Sequence, residues 1–519
     1  MTRRSFLEKA GLYGGVTLSS LTALGLLSTA TGRGADLKGL PAVKGRKGTK
    51  VVILGAGIAG LNSAYELGKL GFDCTVLEAS SRIGGRSLTL RKGDSFTDTL
   101  GHQQTCAFDE GHYFNAGPAR FPAWQVTMDY CRELGVAVEP FVNVNESAYF
   151  LNTKAEGPLN GQRRRQREIR ADMRGGAASL LAKVASSDRL DQPFTAEDKE
   201  RLIDFLIRDG DLNPDTLAYE GSSRRGFKTW PAVTTTGERD PAESMLALLQ
   251  ANFVAHLYRT VEYEYQPSLF QPVGGMDMLA KALHARVASQ VRTGCEAKEI
   301  RKRPDGGARV VYTEGGETKE FLADVCISTL PPTILRSVPN DFSTMVKNTL
   351  NMIPFQNSSR IGLQFSRRFW EEDDRIYGGI SWTDQPINEV YYPSHGFFQP
   401  KGVLIGYYMF GPASDQVTQM TPEARIEYAL SQGESLHPQY RATFENAISV
   451  NWNTVPHIKG CLSHFPPAMV KTLYPVMIRA DGPLYLAGDW ASHLGGWQAG
   501  AFESSRHVAK LLHARVAAG

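Results

Sequence analysis

The sequence predicts an α/β fold organised on a parallel sheet, and three consecutive stretches carry that expectation. A strand-like run, Val51-Val52-Ile53-Leu54, opens into Gly55-Ala56-Gly57-Ile58-Ala59-Gly60. A helix-like stretch follows, and then a second short strand, Cys74 to Leu77, that ends on Glu78. Strand, glycine turn, helix, strand and acid in this order make a Rossmann-like dinucleotide-binding unit. Gly55 permits the tight turn, Gly57 lets the backbone approach a pyrophosphate, and Gly60 lets helix and strand pack closely. The pyrophosphate then sits on the helix N-terminus at Ile58 and Ala59, where free N–H groups and the dipole favour an anion. Glu78 accepts from ribose hydroxyls, and its charge repels a 2′-phosphate.

With 519 residues the chain has room for two or three domains. A net charge of +3 points to no nucleic-acid partner. The one dense basic run, Arg163-Arg164-Arg165-Gln-Arg167, reads as a solvated loop or helix face. The six cysteines, at 74, 106, 131, 295, 326 and 461, show no CxxC spacing, so neither a metal site nor thioredoxin-like chemistry is expected. Cys74 and Cys326 lie in apolar runs and read as buried thiols. At the N-terminus, Arg3-Arg4-Ser5-Phe6-Leu7 precedes a weakly apolar stretch from Ala10 to Ala30. This is similar to a twin-arginine export signal, so residues 1–45 are set apart as signal and leader, and a periplasmic or secreted enzyme without stable membrane association is expected.

Which dinucleotide is bound follows from the residues after Glu78. Ala79-Ser-Ser-Arg82-Ile-Gly84-Gly85-Arg86 resembles the motif of flavin amine oxidases, in which a second close backbone approach and an arginine hold the FAD diphosphate. Near the other end, Ala487-Gly488-Asp489-Trp490 and Gly495-Gly496-Trp497-Gln498 are similar to that family's last FAD segment. There the acid binds the ribityl chain, and a helix start faces the flavin, whose reduced form carries negative charge that a helix N-terminus stabilises. The middle portion, Gly274-Gly275-Met276 and the strands Glu296–Arg301, Ala308–Thr313 and Ala323–Thr329, resembles the family's second FAD segment, with Ala297 beside the adenine.

The resemblance narrows at Gly117-Pro118-Ala119-Arg120-Phe121-Pro122, which looks like L-amino-acid oxidases. It implies that Arg120 binds the substrate carboxylate through two parallel N–H groups, while Gly117, Pro118 and Ala119 line the cofactor. The family's second carboxylate ligand is a tyrosine on a strand. Gly402-Val-Leu-Ile-Gly-Tyr407 matches it, with Tyr391, Tyr392 and Tyr408 as alternatives. The Gly496 carbonyl and Trp497 are implied to meet the substrate, and Trp452 to form a second aromatic wall or simply a buried core residue. Two positions depart from the pattern: Arg360 stands where the family's flavin-water lysine is expected, and Asp489 where many members have glutamate. His256 is the nearest candidate for a base, with a structural histidine as the alternative.

The expected organisation is therefore an FAD-binding domain in three pieces, 48–120, 266–338 and 463–519. A helical and substrate segment at 121–265 and a mixed-sheet substrate domain at 339–462 complete it. No metal is expected. The implied activity is oxidative deamination of an L-amino acid by hydride transfer from Cα to the flavin, with O2 as acceptor and 2-oxo acid, ammonia and H2O2 as products. Rivals are a monoamine or polyamine oxidase, an amino-acid monooxygenase, and a flavin-binding protein without turnover. A homodimer or higher homo-oligomer is expected from related enzymes.

Overall fold

The computed structural model describes residues 48–518 except 188–189, 191–193, 258, 260 and 464. The arginine-led export segment lies outside the described residues. A five-stranded, all-parallel sheet runs in the order Val291–Arg292, Asp73–Leu77, Lys50–Leu54, Val325–Ser328, Leu484–Leu486. Its strands come from the beginning, middle and end of the chain. Val51, Val52 and Ile53 are wholly buried, as expected of a strand covered on both faces, where the apolar run is continuous rather than alternating. The helix Ile58–Lys69 lies against this sheet through Leu61, Ala64 and Leu67. On its other side Asn62 Nδ2 donates to Ser505 Oγ of the helix Gln498–Ala518 at 2.8 Å.

An antiparallel meander, Cys295–Lys302, Ala308–Glu314 and Glu317–Ala323, shares an apolar core with Leu54 and Leu77 of the parallel sheet. The helix Val126–Leu134, which the sequence grouped with the helical insertion, packs on the cofactor-side helices instead. Tyr130 stacks on Phe502 with ring centroids 4.1 Å apart and donates to Glu66 at 2.6 Å. The insertion proper is the pair Gln166–Ser186 and Ala196–Gly210, joined over Ala178, Ala182, Leu206 and Leu212. No described helix is long and apolar enough to cross a membrane.

A second, mixed sheet of seven strands is ordered Arg164–Arg165, Tyr149–Leu151, Gly379–Thr383, Glu389–Tyr392, Gly402–Phe410, Ser358–Phe365, Phe444–Asn451. One face is an aliphatic and aromatic core that contains Ile361, Leu363, Phe365, Leu404 and Trp370. The opposite face carries Arg360, Ile380, Trp382, Ile405, Tyr391 and Tyr408. A bulge in Gly402–Phe410 decides which tyrosine goes where. Ile361 pairs with Tyr407 and Gly362 with Ile405, leaving Gly406 as the extra residue. Strict alternation would put Ile405 and Tyr407 on one face; the extra residue inverts the count, so Tyr407 joins the core and Tyr408 rejoins Ile405.

The basic run is a correction to the sequence reading. Arg163 donates to the Leu436 carbonyl at 2.6 Å, Arg164 pairs with Glu243 at 3.0 Å, and Arg165 donates to the Ser147 carbonyl at 2.5 Å. Arg167 donates to the Arg225 carbonyl at 3.0 Å, so these half-buried arginines tie the helical insertion to the sheet. All six cysteines are unpaired; burial pushes the Cys74 and Cys326 thiols up to about 12.

The glycine turn tolerates little change. A Cβ on Gly60 would collide with the Gly55 carbonyl oxygen, a backbone atom that cannot move aside. Gly60→Ala is expected to lower unfolding free energy by about 2 kcal/mol or more, as overpacking does. Thermal and urea denaturation measure it, and an unchanged midpoint would contradict the packing role.

Candidate active site

The glycine turn and its partner form a backbone-lined crevice at the carboxyl ends of the parallel strands. Gly55 adopts φ of +101°, the left-handed region in which a side chain is strained. Gly57 caps the following helix without a side-chain hydrogen bond, leaving the Ile58–Gly60 turn to present its amides. Gly57 and Gly84 form an isolated bridge, and a Cβ on Gly85 would lie 3.3 Å from Gly57 Cα. Glu78 closes the crevice. Its Oε2 accepts from the Ala56 amide at 2.7 Å, and its Oε1 accepts from the Ser80 amide and hydroxyl at 2.9 and 2.8 Å. This fixes both oxygens beside Ala79 and leaves Oε2 with a free lone pair. The Cys295 amide donates to the Glu78 carbonyl at 2.7 Å, which brings the 295–302 strand and Ala297 to the same end.

Asp489 meets Arg86 across the whole chain. Both guanidinium Nη atoms reach the Asp489 carboxylate, and Nη1 also donates to the Cys461 carbonyl. The Gly496 amide donates to Asp489 Oδ2 at 2.9 Å, at a φ of +80°. Sequence reasoning gave Arg86 to a diphosphate and Asp489 to a ribityl chain; the structure joins them in one ion pair. Gly488 donates to Ser504 Oγ at 2.9 Å, and Gln498 Nε2 donates to Ser87 Oγ at 2.8 Å and to the Met276 carbonyl at 3.2 Å. These contacts bring segments near 57, 85, 276 and 489–498 to one crevice. Narrow backbone walls, a helix N-terminus without a side-chain cap and an oriented acid fit an extended dinucleotide diphosphate.

Gly117 links this crevice to a second pocket. A Cβ there would collide with the Arg86 carbonyl, so the chain passes close before reaching Pro118, the buried Ala119 and Arg120. Beneath it, Trp452 donates Nε1–H to the Ala116 carbonyl at 3.1 Å and is 1% exposed. Arg360 Nη1 donates to the carbonyls of Asn115 and Gly117, while its guanidinium lies 3.6 Å from the Tyr408 ring centroid. Arg360 is therefore committed to holding the Asn115–Gly117 backbone.

The Arg120 guanidinium is enclosed by aromatic rings. Tyr265, Tyr391 and Phe141 have their centroids 5.1, 5.5 and 5.7 Å from it. Its Nη1 donates to the Tyr391 hydroxyl at 3.2 Å, and its Nε has no partner among the described residues. No described carboxylate lies within ion-pair distance of it. Burial works against its charge, but the oxygens of Tyr391, Tyr265, Glu389 and Tyr408 outweigh that and raise its pKa. A permanent cation is thus held, partly buried, among aromatic rings. Trp497 extends the wall, 5.9 Å from Tyr265.

Tyr407 is a correction: its hydroxyl is buried in the opposite core, facing Arg425 and Ser449, because of the Gly406 bulge. Of the alternatives, Tyr391 and Tyr408 reach the Arg120 pocket. Tyr392 turns away, its hydroxyl bonded to Ser381 at 2.7 Å and His437 at 2.6 Å. His256 is packed between Phe150 and Trp382 and bonded to Asn152 at 2.9 Å. Burial, with Arg259 nearby, lowers its pKa to about 4, so it is neutral at pH 7. Sequence reasoning missed Phe141, Tyr265 and Glu389. Glu389 had a signal, since it stands two residues before Tyr391 and so shares its face. No group of three described His, Cys, Asp or Glu side chains can hold a metal.

Fold and site define a dinucleotide-binding α/β protein with a partly buried arginine in an aromatic setting beside the cofactor crevice. The chain belongs to the flavin-containing amine oxidoreductase family, whose model matches residues 58–513. It is 25% identical over 466 residues to an L-amino-acid oxidase of Pseudechis australis, covering 86% of this chain and 83% of the relative. An L-amino-acid oxidase of Naja atra is 26% identical over 467 residues, covering 86% and 84%. Among solved structures, a putrescine oxidase bound to putrescine superposes with a TM-score of 0.59 at 16% identity, over 90% of this chain and 99% of that one. The protein is an FAD-dependent oxidoreductase that acts on amines with O2 as acceptor.

Replacing Arg360 by lysine separates its structural from its chemical role. A lysine cannot fork to two carbonyls and stack on Tyr408 together. Arg360→Lys is expected to destabilise the protein by about 2 kcal/mol. Calorimetric melting measures this, and a variant as stable as the parent with faster flavin reoxidation would instead assign position 360 to the chemistry.

Proposed function

We propose that this enzyme is an L-amino-acid oxidase that binds its substrate's carboxylate at Arg120. The supporting observation is the Arg120 guanidinium itself: partly buried, permanently charged, ringed by Tyr265, Tyr391 and Phe141, and without a carboxylate partner among the described residues. Leaving such a cation without a counter-charge is costly, and a planar carboxylate is the ligand its fork matches. Tyr391 is the neighbour placed to complete the carboxylate site, with Tyr408 beside it on the same face. Trp497 and Tyr265 bound the space in which Cα is held, and restricting its orientation is the main contribution these side chains make to rate. FAD would be held by Glu78, the 57–60 turn and the 488–498 segment, and when bound would supply the acceptor for the hydride lost from Cα. The L preference rests on the relatives rather than on a residue of this chain. The Arg3-Arg4 segment supports export of the folded enzyme as a further part of this reading.

One observation favours a second reading. Glu389 is a buried carboxylate in the same cluster, and an anion there suits an amine lacking a carboxylate, such as putrescine. Purified enzyme given L-leucine, L-glutamate, L-arginine and putrescine, with peroxide and 2-oxo acid followed, separates the two. Turnover of putrescine alone would overturn the carboxylate assignment. Arg120→Ala is expected to lower kcat/KM for the best amino acid roughly 100-fold or more, mainly through KM, while FAD is retained.

A further inference from the structure

The Tyr391 hydroxyl stands between a cation and an anion. It accepts from Arg120 Nη1 at 3.2 Å, and as a buried phenol its own proton needs an acceptor. On the same strand and face, two residues earlier, stands Glu389. Glu389 is 4% exposed. Its Oε1 accepts from Asn388 Nδ2 at 2.7 Å and from Arg259 Nη1 at 3.2 Å, whereas Oε2 has no hydrogen-bond partner among the described residues.

The charged and titratable groups that face Glu389 come from several elements. Arg259 comes from the helical segment, Arg120 from the loop after Gly117, and Arg360 from the strand Ser358–Phe365. Tyr408 comes from the strand Gly402–Phe410 and Tyr265 from the short turn Tyr263–Tyr265. Burial pushes the Glu389 carboxyl above the usual range, and Tyr391 and the three arginines only partly offset this.

A substrate carboxylate seated on Arg120 therefore arrives one phenol away from an existing carboxylate. Two carboxylates held close in one cluster of arginines and phenols repel each other, and this favours a proton on one of them. We propose that Glu389 is the positioning residue that takes up this proton, so that carboxylate binding at Arg120 and protonation of Glu389 are one coupled event. The inference rests on the carboxylate reading of Arg120. For an amino acid the balance closes within the complex. The zwitterion's ammonium gives up one proton, Glu389 gains one, and the substrate is left with the neutral amine whose Cα–H can leave as hydride. The Tyr391 hydroxyl, which accepts from Arg120, keeps its own proton to donate to the substrate carboxylate.

The sign follows from linkage. Binding raises the Glu389 pKa, so a carboxylate binds well where Glu389 is readily protonated, and its Kd climbs as pH rises, approaching about tenfold per pH unit above the free-enzyme pKa. The test uses FAD-loaded enzyme and propionate, a carboxylate with no amine, titrated calorimetrically in buffers of different ionisation enthalpy across pH. Wild type is expected to take up about one proton per propionate bound. Glu389→Gln is expected to take up none and to show a flat Kd, and Glu389→Asp to restore the linkage. Propionate binding to wild type with no proton uptake overturns the proposal and leaves the Arg120 reading standing. Failure of wild type and Arg120→Ala alike to bind propionate overturns both. Should Glu389→Gln not fold, the wild-type proton count decides alone.

Discussion

Arg86 ties the cofactor crevice to the pocket beside it. Its guanidinium is paired with Asp489 and bonded to the Cys461 carbonyl, while its own backbone carbonyl is met by Gly117. Four segments that are remote in sequence converge there: the second glycine turn, the loop leading to Arg120, the end of the pocket-forming region and the final cofactor segment. The carboxylate is nearly inaccessible and the guanidinium only partly exposed. Removing one partner of such a pair leaves an uncompensated charge, at a cost of about 3–5 kcal/mol. Crevice and pocket are therefore not independent modules, because the same arginine sets the wall between them.

The pocket applies a related constraint on a smaller scale. Arg120 is walled by aromatic faces, which favour a cation without neutralising it, so its charge remains available to a ligand. Arg360 lies on the same face, but its donors go to backbone carbonyls and its plane to Tyr408. Two arginines of identical chemistry thus do different work, one exposed to the ligand space and one consumed by the scaffold.

What was legible in the sequence was what is local. The turn around Gly55–Gly60 and the acid at 78 are specified within thirty residues by a periodicity and a φ requirement. The Gly84–Gly85 and Gly488–Asp489 motifs were legible as motifs, but their mutual pairing was not, since nothing in either segment names its partner. Tyr407 shows a different failure. Alternation along Gly402–Phe410 was the right rule, broken by one unpaired residue whose position depends on the neighbouring strand. The arginine run at 163–167 was misread because composition alone does not reveal which carbonyls and acids come to meet it. Glu389 went unnoticed since a lone acid in a strand acquires meaning only when Arg120 arrives from elsewhere.

The span between Arg86 and Asp489 has a temporal consequence. On the ribosome, the glycine turns and Glu78 emerge with Arg86, which comes 403 residues ahead of Asp489 and well ahead of the strand Leu484–Leu486 that borders the parallel sheet. The nascent chain must therefore carry an open sheet edge and an unmatched guanidinium until that segment has been made. Capture of the cofactor by a finished crevice waits for the 484–498 segment to arrive.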